Sequence, residues 1–401
     1  MKRNDVVHSK DISITAPIEK LVPYSLWEFL RYFLWLGTFG FGGPIALAGY
    51  MQRDLVDRKR WVSKDDYIHG LALAQLCPGP LAAQLAMYLG WVRAGVLGAS
   101  LVAAAFILPS LVMVLIISAL YVHFGSLPWM EGAFYGIGAA VIALIIRSAI
   151  KLAKMTNGKD ILLWVVFTIN ALVTAWTASE ILWIFVLSGI AIMLIKAPPM
   201  MKINSSLPLL VPAPWLMSGI HGVASTGTLL KIVLYFAWAG TFVFGSGLAI
   251  VPFLHGGVVD QYHWLTERQF LDAVAVTMIT PGPVVITVAF IGYLVGGLAG
   301  AILAAIGVFI PCYLFVVILA PHYRRLVGNL SIKAFVSGVT AAAAGAIAGA
   351  SFVLGKQAII DFKTASIFLI SFILLVTTKK IPEPLLIVAA GLVGFCIKSI
   401  A

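Results

Sequence analysis

"AQLCPGPLAAQ" at 74–84 and "TMITPGPVVIT" at 277–287 each place Pro-Gly-Pro in the middle of an apolar segment. The first proline removes a backbone donor and clashes with the preceding turn, so it ends a helix. Glycine supplies the free φ/ψ of a reversal. The second proline suits the first position of a new helix, where its missing N–H costs nothing. Residues 67–77, ahead of Pro78, make a helix of only ~16 Å at 1.5 Å per residue, too short for a hydrocarbon core of ~30 Å. The spacing therefore predicts a helical hairpin that enters and leaves by one face. Irregular backbone at that depth is tolerated only where it is buried in protein or lines a watery cavity.

The surrounding chain is a polytopic, all-α membrane protein by composition. Of 401 residues, 61% are hydrophobic and 11% charged, against about 25% charged in a soluble domain. Long Leu/Ile/Ala/Val runs exclude the short alternating strands of a transmembrane barrel. Residues 1–25 form a polar tail with no apolar core or cleavage site of a signal peptide. Cys77, Cys312 and Cys396 stand apart from one another and from histidines, which argues against a metal site, a redox pair or a disulfide framework. No cofactor is expected. The net charge of +11 is expected in cytoplasmic loops rather than on nucleic acid, leaving the lipid bilayer as the chain's general partner.

Sliding the chain by 203 residues lays Tyr32–Pro80 over Tyr235–Pro283 without a gap, and sixteen of the 49 pairs are identical. The register extends, with one residue dropped, through Gly90/Gly292, Gly98/Gly300 and Pro109/Pro311. The chain is read as a tandem duplication: repeats at 26–196 and 229–401, joined by a Pro-rich linker at 197–228. Charge sets their orientation. The loop 51–66 holds five basic residues and 147–159 holds four, while the turns at 121–131 and 177–181 hold none. Both basic loops face the cytoplasm only if 67–90 is re-entrant. In the second repeat the charge moves to the other loops (Arg324, Arg325, Lys333, Lys379, Lys380). That shift predicts two inverted-topology repeats, each of about five transmembrane helices plus a re-entrant hairpin, the plan of many secondary transporters. It also places the N-terminal tail on the outer side, against its mildly basic character.

Each repeat carries a second break, "FGFGGP" (39–44) matched by "FVFGSG" (242–247). Half-helix N-termini present backbone donors at a positive dipole end, a ready anion site. The candidate substrate-binding set is Gly42, Gly43, Pro44, Gln75, Pro78, Gly79, Pro80 and Gln84 in the first repeat. Gly245, Ser246, Gly247, Thr280, Pro281, Gly282, Pro283 and Thr287 complete it in the second. A lone Pro kink or Gly-rich stretch is ordinarily structural; four breaks at matched positions favour a site. Gly95, Gly98, Gly297 and Gly300 read as packing residues, and Arg147 as a cation near the end of its span. Arg93, after the first hairpin, is a candidate for attracting anions. Glu28, His69 and Asp272, near segment starts, are candidates for proton coupling. No nucleotide-binding Gly-rich loop is present, so ATP is not this chain's direct energy source.

"FGFGGPIA", "LALAQLCPGPLAAQLAMYLGW" and "FILPS", with "FVFGSGLAIVPFL", "FLDAVAVTMITPGPVVITVAFIGYLV" and "IPCYLFVVILAP", resemble the chromate ion transporter family in its long, two-domain bacterial form. The resemblance implies a multi-pass protein of the bacterial inner membrane that exports chromate, confers chromate resistance and is driven by the proton motive force. Gly42–Pro44, Pro78–Pro80, Gly245–Gly247 and Pro281–Pro283 are its motif residues here. Sulfate or another inorganic anion, carried by a transporter or a channel, is the alternative, and a homodimer is an assembly open to the chain. A membrane enzyme is disfavoured, because no flavin, metal or clustered-histidine signature accompanies the hydrophobic segments.

Overall fold

The computed structural model describes residues 21–41, 43–124, 128–177, 182–198, 226–241, 243, 250–322, 329–378 and 382–400. Among them every regular element is a helix. Four helices are long and apolar enough to cross a bilayer, and several shorter apolar ones accompany them, as a polytopic membrane protein requires.

The chain opens with two short helices that do not form one span. α1 (Leu26–Phe39) starts at a capping box in which Ser25 and Glu28 satisfy each other's backbone N–H. α2 (Gly43–Met51) follows and runs into a π-helical turn, Gln52–Arg58. The chain then returns to its starting end: the Val22 N–H donates to the Arg60 carbonyl (2.9 Å) and Tyr24 stacks on Trp61. α1 and α2 are therefore the two limbs of a hairpin, the first ending at Phe39 and the second starting at Gly43, where the sequence predicts a crossing. Glycines permit a kink and a reversal equally; only the contacts of the returning limb separate the two. Residues 22–24, at the described end of the tail, therefore lie beside the basic 51–66 loop, whereas a crossing at 26–50 expects them across the bilayer from it.

α3 (Lys64–Leu76), capped by Ser63, leads to Pro78–Pro80, and α4 (Leu81–Phe124) leads away. α4 contains a second reversal, because Ala94 and Gly95 leave helical geometry, Gly95 at φ 59°. Gly90 and Gly98 then pack backbone to backbone, so closely that a Cβ on either would collide with the other's carbonyl. Limb 81–93 thus returns to the end where α3 began, and limb 96–124 crosses. The re-entrant hairpin expected from Pro-Gly-Pro is present in this form. Gly98 is the packing residue it was read as; Gly95 is a turn residue.

The second half repeats each step. α8 (Thr226–Gly240) and α9 (Ile250–His255) precede a π-helical turn, Gly256–Gln261, whose end returns to α8 through Tyr235 against Tyr262 and Trp264. His255 ties that turn to the next helix, with Nδ1 3.3 Å from Asp260 and Nε2 2.7 Å from Glu267. α10 (Glu267–Ile279) leads to Pro281–Pro283, and α11 (Thr287–Leu319) reverses at Gly296 and Gly297, packing Gly292 on Gly300. Gly95 and Gly297 have positive φ and open space where a Cβ would stand. Alanine at either is expected to cost about 1–2 kcal/mol, the strain of a left-handed non-glycine residue. Thermal unfolding in detergent measures this as a modest loss, with transport retained.

The remaining helices interlock the halves. α5 (Pro128–Asn157), α6 (Ile161–Thr177) and α7 (Leu182–Lys196) correspond to α12 (Leu330–Ala358), α13 (Phe362–Thr377) and α14 (Glu383–Ile400). α5 packs along α13 and α14, while α12 packs along α6 and α7. Small residues carry these contacts: Gly136 sits on Ala390 and Gly394, and Gly345 sits on the Phe167 carbonyl. Without a hydrophobic driving force between helices in lipid, such close backbone approach supplies the attraction. The crossing limbs of α4 and α11 run antiparallel. Ser100, near the start of one, bonds Tyr313 near the end of the other (2.7 Å), and Tyr121, near the end of the first, donates to Asp272 on α10 (2.7 Å).

Candidate functional site

The two Pro-Gly-Pro tips dock reciprocally. The Gly79 N–H donates to the Val243 carbonyl (2.5 Å), and the Gly282 N–H donates to the Gly40 carbonyl (2.9 Å). Positions 79 and 282, and 40 and 243, are equivalent under the 203-residue shift, so each tip binds the other half's glycine break. Both glycines are buried at positive φ, 140° and 99°. A Cβ on Gly79 would meet Cys312 and Gln84, each at 2.5 Å, and one on Gly282 would collide with the Ser110 side chain. Each tip is therefore pressed against the other half's crossing limb, with space for hydrogen alone.

A pocket with a volume of about 80 Å³ lies where these breaks meet. Its walls are Gly40, Phe41, Gly43 and Pro44 from the first break, Leu81 from the first hairpin's return limb, and Thr277, Thr280, Gly282 and Val284 around the second tip. α5 adds Arg147, Ser148 and Lys151, and α14 adds Glu383 and Pro384. Arg147 pairs with Glu383 at 3.2 Å, each about a third exposed (31% and 32%). Lys151 lies one turn further along α5, and no ion pair holds it among the described residues. Two cations against one carboxylate leave the pocket one net positive charge. The matched stretch of α12, "AIAGASFVLG" (346–355), carries none, so the basic wall belongs to one half alone.

Of the candidates named from sequence, Gly43, Pro44, Thr280 and Gly282 come together here. Gln84 is buried behind the first tip, its Nε2 donating to the Pro78 carbonyl (2.7 Å). Thr287 donates to Thr277 (2.8 Å), and Thr280 to the Val276 carbonyl (2.8 Å). These groups hold the tips in shape; the threonine hydroxyls are committed, while the Gln84 Oε1 is buried without a hydrogen-bond partner among the described residues. Pro78, Pro80, Pro281 and Pro283 shape the reversals without lining the pocket, and Gln75 is exposed away from it. Gly42, Gly245, Ser246 and Gly247 lie outside the described residues. Arg93, two residues before the reversal at Gly95, donates to the Tyr24 carbonyl (2.9 Å) and lies over the Tyr24 ring. Glu28 is occupied as the α1 cap. Asp272 is buried and held by Tyr121, and His69 is half-buried on α3.

Arg147, Ser148, Lys151 and Glu383 are additions that the sequence reading passed over. The available signal was Arg147 and Lys151 at i, i+4 spacing, one above the other on a helix face. Together the lining offers what an oxyanion needs: two cations, a serine hydroxyl and a backbone break, in a space the size of a small anion.

A family model described as "Chromate transporter" matches residues 27–193 and again 230–395. The chain belongs to the chromate transporter family. Its two matched stretches each contain one glycine break and one Pro-Gly-Pro hairpin. This family member is 52% identical to a "Chromate transport protein" of Cupriavidus metallidurans over 388 residues, 96% of both chains. It is also 52% identical to a "Probable chromate transport protein" of Synechococcus elongatus over 381 residues, 92% of this chain and 95% of that one. A "Chromate transport protein" of Pseudomonas aeruginosa is 30% identical over 391 residues, 94% and 93% of the two chains. No solved structure matches this chain.

Proposed function

We propose that this protein is a secondary active transporter that exports chromate from the cytoplasm, confers chromate resistance and draws on the proton motive force. The observation that carries the reading is the pocket at the meeting of the breaks, where Arg147, Ser148 and Lys151 share the lining with Gly40, Phe41, Gly43 and Pro44 and with the second Pro-Gly-Pro tip. Membership of the chromate transporter family and the names of its relatives support chromate as the anion. The antiparallel crossing limbs and the reciprocal docking of the tips support two inverted repeats, with the anion held near their interface. Alternating access then consists of one half rocking against the other around the docked tips. Among the titratable candidates, Asp272 fits proton coupling, because its buried carboxylate is bound by Tyr121 from the opposite half and a proton there changes a contact between halves.

Membrane vesicles separate the parts of this reading. Everted vesicles containing the protein are expected to accumulate labelled chromate when an inward-acid gradient is imposed, and a protonophore is expected to stop it. Accumulation in right-side-out vesicles alone reverses the direction. Protonophore-insensitive accumulation removes the proton coupling. Equal inhibition by sulfate and chromate widens the substrate to tetrahedral dianions as a class.

A further inference from the structure

A second site lies outside the substrate pocket, at the end of the bundle where α1 starts. Arg31 and Trp35 of α1, with Arg53 and Arg58 of the facing π-helical turn and Lys59 just after it, line an open cleft of about 610 Å³. Four cations (Arg31, Arg53, Arg58, Lys59) oppose two acids (Glu28, Asp54) there. Asp54 is already shared by Arg53 at 2.9 Å and Arg58 at 3.6 Å, so the surplus charge faces outward. Trp35 and Arg53 also line a second, more apolar groove of about 630 Å³, which continues past Phe39, Phe41, Leu385 and Val388. From Arg31 to Phe39 the helix rises about 12 Å, passing from cations to bare aromatic surface; Phe39 is 61% exposed.

The internal repeat acts as a control on this cleft. In the second half its aromatic frame is kept, with Tyr235, Trp238 and Trp264 at the positions of Tyr32, Trp35 and Trp61. The cations are not: Leu234, Gly256, Gln261 and Tyr262 replace Arg31, Arg53, Arg58 and Lys59. The fold therefore does not need those charges.

We propose that the cleft and groove bind one anionic phospholipid, its phosphodiester on the Arg31/Arg53/Lys59 side and an acyl chain along Trp35, Phe39, Phe41 and Leu385. Charge complementarity selects an anionic headgroup, and the apolar continuation selects a lipid over a free anion. Gly40, Phe41 and Pro384 line both the groove and the substrate pocket, so the acyl chain lies against the wall of the transport site.

Native mass spectrometry of the purified full chain in neutral detergent tests the proposal, with phosphatidylglycerol and phosphatidylcholine offered at equal concentration. The expected result is preferential retention of phosphatidylglycerol by the wild type. In the Arg31→Gln/Lys59→Gln variant that preference is expected to fall by about tenfold or more, given the attraction of each basic residue for anionic lipid. Thermal unfolding and size exclusion establish that the variant is folded; if it is not, the single Arg31→Gln variant gives the same comparison with a smaller fall. Equal retention of the two lipids, or a preference unchanged in a folded variant, overturns the proposal. So does displacement of phosphatidylglycerol by millimolar inorganic phosphate or chromate, which makes the cleft a vestibule for soluble anions.

Discussion

Leucine at position 282 is expected to abolish transport and to lower stability sharply. Gly282 stands at φ 99°, is buried, and its added Cβ collides with Ser110 before any further carbon is placed. Its N–H holds the Gly40 carbonyl, so displacing the tip breaks the link between the second hairpin and the first break. Backbone strain and overpacking together cost roughly 2–6 kcal/mol, a large share of the stability of any domain. Gly282→Ala separates the parts, since it adds only the colliding Cβ; it is expected to fold at reduced yield and to transport poorly. Gly138→Ala is the control, because a Cβ there meets open space in a helix. Unfolding temperature in detergent and flux in proteoliposomes check all three. A Gly282→Leu protein with wild-type flux contradicts the docked-tip geometry.

Reversing the charge at Lys151 is the second large effect. Lys151→Glu turns the net charge of the pocket from one positive to one negative, and a dianion is then repelled at the wall meant to receive it. Lys151→Gln is gentler, removing a charge-assisted hydrogen bond of about 1.5–3 kcal/mol. That is roughly a 10- to 150-fold rise in half-saturating chromate concentration at little change in folding. Lys151→Arg is expected to keep most of the activity. Arg147→Gln behaves differently, because it strips Glu383 of its partner and leaves a carboxylate facing the substrate. Concentration dependence of chromate flux distinguishes these variants, and an unchanged half-saturation in Lys151→Gln removes Lys151 from the site.

Proline made part of this architecture readable in the sequence. Pro78 and Pro80 cannot continue a helix, the limbs on either side are too short to span, and the loop charges allow only a hairpin. The matched register of the two halves exposed the duplication for the same reason, since break positions are harder to vary than apolar filler. The α1/α2 hairpin was not readable, because Gly40–Gly43 permits a reversal without requiring one. What decides it is Tyr24 on Trp61, a contact between residues 37 apart. Arg147 was passed over because an arginine near the end of an apolar run is ordinarily explained by snorkelling; its role depends on Glu383, 236 residues further along the chain. The threonines and Gln84 looked like free donors because a sequence does not say which carbonyl a hydroxyl or an amide has already found.

Flux of labelled chromate in proteoliposomes, with imposed proton and potential gradients, decides whether this protein moves chromate through the pocket beside the docked tips. The expected result is gradient-dependent flux through the wild-type protein, a tenfold or greater fall at low chromate in folded Lys151→Gln, and near-complete loss in Gly282→Leu. Wild-type flux equal to that of protein-free liposomes under every gradient would contradict it.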